Sequence, residues 1–441
     1  MKNKKNILIV SLSVLLVVSS IVIYCGTYKE FMEGKDKTVT IGLFSDSYWE
    51  VQNGYSYRVL DDAIKLFEKQ NPGVKVEYTS GILKEDYSEW LSGQLLSENA
   101  PDVFYVLADD FNNFAEIGVL ADLSLFIKDD KDFNKKAFYS SAYAYGQYDG
   151  SQYALPYECA PKLMFVNKSI LDKEGIEIPD EEWTWDDFYS ICENVTKDTD
   201  GNGTVDQFGV IGYTWEEAFE SEGIKLFNQK GTKCDFTDDK IGKALSFIER
   251  LESINMGYSA DSKDFDLGNV VFQPMSFSTY RAYKPYPLKV KKYTNFEWEC
   301  IPMPAGPDGD NISTLDTLLI GMNKKSRNKD AAWDLIKTLT YNTKIQSEIF
   351  DYSEGVSVLK EVTESEQTLG QLVNGNSFSL AVLSNAVEEA VVVPRFRYYD
   401  EAISEVAQAV KAIIDGDYNI STGQIIWNRK INKYLKNSKW K

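Results

Sequence analysis

Histidine is absent from all 441 residues. That removes the Ser-His-Asp and Cys-His nucleophilic mechanisms and every His-ligated zinc centre. Basic residues are also scarce: 47 Lys and Arg stand against 67 Asp and Glu, a net charge of −20. Nucleic-acid binding relies on a basic patch, so no nucleic-acid partner is expected of so acidic a chain. The five cysteines form no C-x-x-C pair, which leaves metal and redox motifs unsupported. Neither G-x-x-x-x-G-K-[ST] nor a strand-anchored G-x-G-x-x-G occurs, so nucleotide binding has no support. No internal repeat and no Gly/Ser- or Pro-rich linker divides the chain. Catalysis by paired carboxylates stays open.

Apolar residues make up 43% of the chain, enough to bury sizeable cores over two or three domains. The chain starts on a basic cluster, Lys2, Lys4 and Lys5, and continues into an uncharged apolar run from Ile7 to Tyr24. That pattern reads as an export segment, and its length is near the lower limit for crossing a bilayer. Cys25 follows at once. The arrangement resembles the lipobox of bacterial lipoproteins, in which the Cys is acylated, although Ile23 and Tyr24 are bulkier than that motif prefers. Residues 1–25 are thus either a signal peptide ending in a lipid anchor or an uncleaved membrane helix, with 26–37 as a tether. Both place the rest of the chain outside the cytoplasmic membrane. Cys159, Cys192, Cys234 and Cys300 allow three pairings or none.

From Thr38 strands and helices alternate. Val39 to Phe44, Val74 to Tyr78 and Asp102 to Leu107 read as strands. Leu60, Ile64 and Phe67 share one helical face, stopped by Asn71-Pro72-Gly73, and Tyr87, Trp90, Leu91 and Leu95 mark another. Two such units imply a parallel sheet with helices on its faces. Ligands on such sheets lie at the carboxyl ends of strands, which singles out residues 45–50, with Ser45 and Asp46, and residues 107–110. Further strands are expected at Lys162 to Val166, Phe208 to Gly212 and Leu318 to Met322. Helices are expected after the capping box at Thr184, through Ala332 to Leu339, and through Ile403 to Ile413 as the last long one.

Asp198, Asp200, Asn202 and Asp206 place oxygen ligands at relative positions 1, 3, 5 and 9 of a calcium loop, with Gly203 at position 6. Gly209 stands where the closing Glu belongs. The segment is either a structural calcium site or a tight Asx/Gly turn; no other cofactor is required. Aromatic residues form 13% of the chain, and flat rings with a few placed polar groups suit a sugar pocket.

Several segments in order resemble family 1 extracellular solute-binding proteins, the sugar-binding subunits of ABC importers. They include Phe67-Glu68-Lys69-Gln70-Asn71-Pro72-Gly73, Ala100-Pro101-Asp102-Val103-Phe104 and Tyr153-Ala154-Leu155-Pro156. Trp183-Thr184-Trp185-Asp186-Asp187-Phe188, Ile301-Pro302-Met303-Pro304 and Asp330-Ala331-Ala332-Trp333 complete the series. The resemblance implies an α/β, two-lobe periplasmic-binding-protein type 2 fold with hinge crossovers. One lobe is expected from 38–156 with about 313–360, the other from 157–312 with about 361–441. It also implies binding roles for Asp109, Tyr157, Glu158, Tyr280, Asp316 and Tyr399, while Val106 stands where a family member carries a stacking Trp. The function implied is capture of a carbohydrate, an oligosaccharide above all, by a monomer that delivers it to ABC permease subunits without catalysis. The alternatives are an exported glycan-active hydrolase with paired carboxylates and a ligand-sensing receptor of the same fold.

Overall fold

The computed structural model describes residues 37–49, 55, 57–283, 296–372 and 379–438. Three parallel strands open the fold: β1 (Lys37–Gly42) lies between β2 (Val74–Tyr78) and β3 (Val103–Val106). The helix Arg58–Gln70 crosses between β1 and β2 and buries Val59, Leu60, Ala63 and Phe67, the face expected from the apolar spacing. A short hairpin, β4 (Gln147–Tyr148) and β5 (Ser151–Gln152), precedes β6 (Ala154–Asn167). Then come β7 (Phe208–Val210), β8 (Val270–Ser276), β9 (Trp298–Ile301), β10 (Leu315–Met322) and β11 (Val356–Ser357).

β6 joins the two halves. Its first part, Ala154 to Pro161, pairs antiparallel with β10, which pairs in turn with β3. Its second part, from Lys162, pairs with β8 and β9. Every residue of β6 is buried except Lys162, which is half-buried. A strand covered on both faces shows no polar alternation, so the sequence marked only its second part as a strand.

Two hydrophobic cores result. One gathers Val39, Phe67, Phe104, Leu319 and Ile336. The other gathers Phe188, Phe247, Phe272, Val406 and Trp427. The chain passes between them within β6, between Met303 and Leu315, and between Ala390 and Phe396, and Phe208, Phe265, Val270 and Phe277 of the intervening stretch also pack into the first core. Val362, Leu372, Val382 and Val387 pack into the first core, and Phe396, Ala402 and Val406 into the second. The helix Tyr399–Ile414 is not the last: Ile420–Ser438 follows and buries Trp427, Ile431 and Leu435 at four-residue spacing. Cys159, Cys192, Cys234 and Cys300 are buried free thiols. Among the described residues no helix is long and apolar enough to cross a membrane; Ile7 to Cys25 lie outside them.

Candidate functional site

The cleft between the lobes is assembled from five places in the chain. In the first lobe β3 ends at Val106, and the helix Ala108–Glu116 begins at once, setting Ala108, Asp109 and Asn112 on one wall. The opposite wall starts at Thr214, whose capping box with Glu217 opens the helix Trp215–Ser221. That cap turns Trp215, Glu216, Phe219 and Glu220 towards the cleft. Lys162 on β6 and Thr314 to Thr317 on β10 form the floor, and the crossover from Val391 to Arg395 with Tyr399 closes one side. These groups enclose a cavity of ≈ 470 Å³. It opens past Ala108, Asp109 and Asp316 into a space of ≈ 620 Å³ beside Tyr48, Trp49 and Lys84. Past Gln229 and Arg395 it continues into another of ≈ 820 Å³.

The polar groups of the cleft fall into two classes. Some are paired within the chain: Lys162 Nζ meets Glu217 Oε1 at 2.8 Å, and Glu217 Oε2 accepts from the Thr214 amide and hydroxyl. Burial acts against both charges, but each partner outweighs it, holding Glu217 below the usual carboxylate range and Lys162 above the usual ammonium one. Others have no hydrogen-bond partner although buried: Asn112 Oδ1, Thr317 Oγ1, Glu220 Oε2, and Nε and Nη2 of Arg395. Arg395 lies over the Tyr145 ring, 4.4 Å from its centroid. Burial raises the Glu220 carboxyl to about 8, with Glu217, Glu216 and Asp316 adding to the effect against Lys162. Burial, then the charge of Asp109, raises Asp400 to about 6.

The residues expected from the sequence are distributed as follows. Asp109, Asp316 and Tyr399 all line the central cavity. Tyr399 stands edge-on to Phe227 and Phe396, at 5.9 and 5.5 Å between ring centres. Ser45 and Asp46 lie to one side: both the amide and hydroxyl of Ser45 donate to the Ile82 carbonyl, and Asp46 Oδ1 accepts from the Lys84 amide at 2.6 Å. They hold the loop that carries Lys84 and do not line the cavities described. Tyr157 and Glu158 are 5% exposed and lie beneath the cleft rather than in its wall. Tyr157 stacks on Tyr105 at 5.6 Å, and Glu158 accepts from the Ser353 hydroxyl. Both lie in the part of β6 that pairs with β10; consecutive residues of a strand point to opposite faces, and here both faces are covered. Burial raises Glu158 to about 7, which the Ser353 bond partly opposes. Tyr280 belongs to the helix Phe277–Tyr283, and its side chain lies outside the described residues.

Trp215, Glu220 and Arg395 line the cavity and are not among the residues expected from the sequence. A signal existed: Thr214-Trp215-Glu216-Glu217 repeats the pattern of Thr184-Trp185-Asp186-Asp187, and both form capping boxes. The two tryptophans differ in surroundings. Trp185 is buried flat on Phe247, 4.4 Å between ring centres, whereas Trp215 faces the cleft.

In the acidic loop, oxygens of Asp198, Asp200 and Asp206 lie within 4.8 Å of one another. That fits ligands of one calcium ion, whose oxygens lie at about 2.3–2.6 Å from the metal. The loop is also tied by its own amides: Asp198 accepts from Gly201 and Gly203, and Asn202 donates to Asp200. The missing closing Glu has a steric reason. A Cβ on Gly209 would lie 2.5 Å from that of Cys192, so no side chain fits there.

The family model described as bacterial extracellular solute-binding protein matches residues 50–342. An uncharacterised ABC transporter extracellular-binding protein of Pyrococcus horikoshii is 30% identical over 138 residues, 31% of this chain and 30% of that one. The match thus spans less than a third of that relative's length. An ABC substrate-binding protein of Listeria monocytogenes, solved in complex with cycloalternan, superposes with a TM-score of 0.68 at 22% identity, covering 91% of this chain and 100% of the other. The cyclic alpha-maltosyl-1,6-maltose binding protein of Arthrobacter globiformis gives 0.75 at 17% identity, covering 91% and 99%. Both likenesses carry the two-lobe fold.

Proposed function

The chain belongs to the bacterial extracellular solute-binding proteins, and from that premise we propose that its cleft captures a carbohydrate, an oligosaccharide, and presents it to an ABC permease. The observation that carries this reading is the set of buried polar atoms without partners in the cleft wall: Asn112, Thr317, Glu220 and Arg395. Leaving a buried donor or acceptor unpaired costs about 1–3 kcal/mol. Several converging on one cavity, beside Trp215, Phe227 and Tyr399, suit a ligand with many hydroxyls and apolar ring faces. Asp109, Asp316 and Tyr399 join them as binding residues. Ser45, Asp46, Tyr157 and Glu158 support the wall from behind.

Ligand contacts to both lobes would favour the closed form, and that differential affinity drives closure. A monomer without catalysis suffices for the task. Export and tethering follow from Ile7 to Cys25: Cys25→Ala should release the protein from membranes if acylation is the anchor, and unchanged retention would point to an uncleaved helix. The Asp198, Asp200, Asn202 and Asp206 loop is assigned a structural calcium ion. Differential scanning fluorimetry against mono- and oligosaccharides tests the main reading, since a ligand of the native state raises the melting temperature.

One observation favours hydrolysis as a second reading: Glu220, raised by burial to about 8, stands beside Glu217, which is held below the usual carboxylate range, as a general acid beside a charged partner would. Release of reducing ends from an oligosaccharide, abolished by Glu220→Gln, would establish it.

A further inference from the structure

Five carboxylates, Asp109, Glu216, Glu220, Asp316 and Asp400, line the central cavity against three cations, Lys162, Lys225 and Arg395. Lys162 is already committed to Glu217, a sixth acid behind the wall. Arg395 is spread over Tyr145. The acids around the cavity thus outnumber the cations, although Lys162 also acts on Glu220 and Arg395 on Asp400. Asp400 of the second lobe is opposed by Asp109 of the first, and Glu220 by Glu217, Glu216 and Asp316. Independently, the buried Oε2 of Glu220, in the cavity wall, meets no donor.

Crowded carboxylates with an unmet buried acceptor are complementary to a positive charge brought in by the ligand. Resting on the carbohydrate reading above, we propose that the ligand is an amino sugar, an oligosaccharide carrying a protonated amine that seats against Glu220 and Asp316. The rings of Trp215, Phe227 and Tyr399 in the same wall favour a sugar over a bare cation, because they offer flat apolar surface that a metal ion cannot use. The same field disfavours uronic acids. Glu220 is faced by Lys162 from β6, Glu216 and Glu217 from its own helix, Asp316 from β10, and Tyr399 and Tyr145. An ammonium added to this set favours the ionised carboxyl, so binding at neutral pH expels a proton.

The test is calorimetric titration of the detergent-solubilised full chain with four probes: glucosamine oligomers, their N-acetylated counterparts, neutral glucose oligomers of equal length and galacturonate oligomers. The glucosamine oligomer should bind about tenfold more tightly than its acetylated form, since a charge-assisted hydrogen bond exceeds a neutral one by roughly that. Repeating the titration in buffers of different ionisation enthalpy should reveal proton release, and Glu220→Gln should lose both the preference and the proton. Equal or tighter binding of acetylated, neutral or uronic oligomers would overturn the amine assignment while leaving the carbohydrate reading intact. Binding of spermidine with no sugar bound at all would overturn both.

Discussion

Lys162 Nζ and Glu217 Oε1 lie 2.8 Å apart, joining the strand that runs through both lobes to the helix that carries Trp215. The Glu217 side chain is 4% exposed and that of Lys162 29%. Removing the two partners should therefore not cost the same. Lys162→Met leaves a carboxylate buried without its cation and should cost about 2–3 kcal/mol, somewhat below a fully buried pair. Glu217→Gln leaves a lysine that can turn to water and keeps part of the Thr214 cap, so about 1 kcal/mol is expected. Urea denaturation of both variants checks the order; equal losses would mean that the pair carries no buried charge.

Stability should peak in mild acid. Glu220 at about 8, Glu158 at about 7 and Asp400 at about 6 start from ordinary values of 4.5, 4.5 and 3.8. Between those limits the folded chain holds protons that the unfolded chain has lost, so stability falls as pH rises. Glu217 works in the opposite sense: its folded value is lowered, and its contribution is lost as pH falls through that value. A melting temperature that is highest at about pH 5 and declines towards pH 8 is expected, with a shallower decline in Glu220→Gln. A steady rise from pH 5 to pH 8 would show that these acids are ionised in the folded protein.

Aromatic truncations should separate into two kinds. Tyr157→Ala removes a ring that is 5% exposed and stacked on Tyr105, and should cost about 3–5 kcal/mol of stability. Trp215→Ala should leave stability within about 1 kcal/mol of wild type and weaken ligand binding by roughly thirtyfold, a loss of about 2 kcal/mol. Denaturant melts and titrations on both proteins decide the matter; the reverse pattern would put the cleft elsewhere.

The contrast between these two rings shows how much of the site was legible. The Leu155-Pro156 segment lies in β6, which changes partners between Pro161 and Lys162; β6 is buried on both faces, and no local pattern tells a residue facing the cleft from one beneath it. Asp109 was reachable because it follows the carboxyl end of a parallel strand, and Asp316, the second residue of β10, through the family resemblance. Trp215, Glu220 and Arg395 depend on where a seven-residue helix and a crossover come to rest against the other lobe. Only the repeated Thr-Trp-acid-acid pattern pointed to the first of them. The elements themselves were clearer: β2 and the Thr184 cap match the pattern residue for residue. The helix Ile420–Ser438 escaped because exposed Ile425 and Ile426 lie off the face that buries Trp427, Ile431 and Leu435 and blur its pattern.

Calcium removal gives a further check. If an ion joins Asp198, Asp200 and Asp206, a chelator should lower the melting temperature and millimolar calcium should restore it. Asp198→Asn should remove the response. Identical melting curves in chelator and calcium would leave the loop as a hydrogen-bonded turn held by the Gly201 and Gly203 amides.

Calorimetric titration of the wild-type chain against a panel of oligosaccharides, neutral and amine-bearing, tests the central claim most directly. The account predicts saturable binding of at least one of them at one site per chain, lost in Trp215→Ala, with the sugar recovered intact afterwards. Failure of every carbohydrate to bind, or recovery of cleaved sugar, would contradict it.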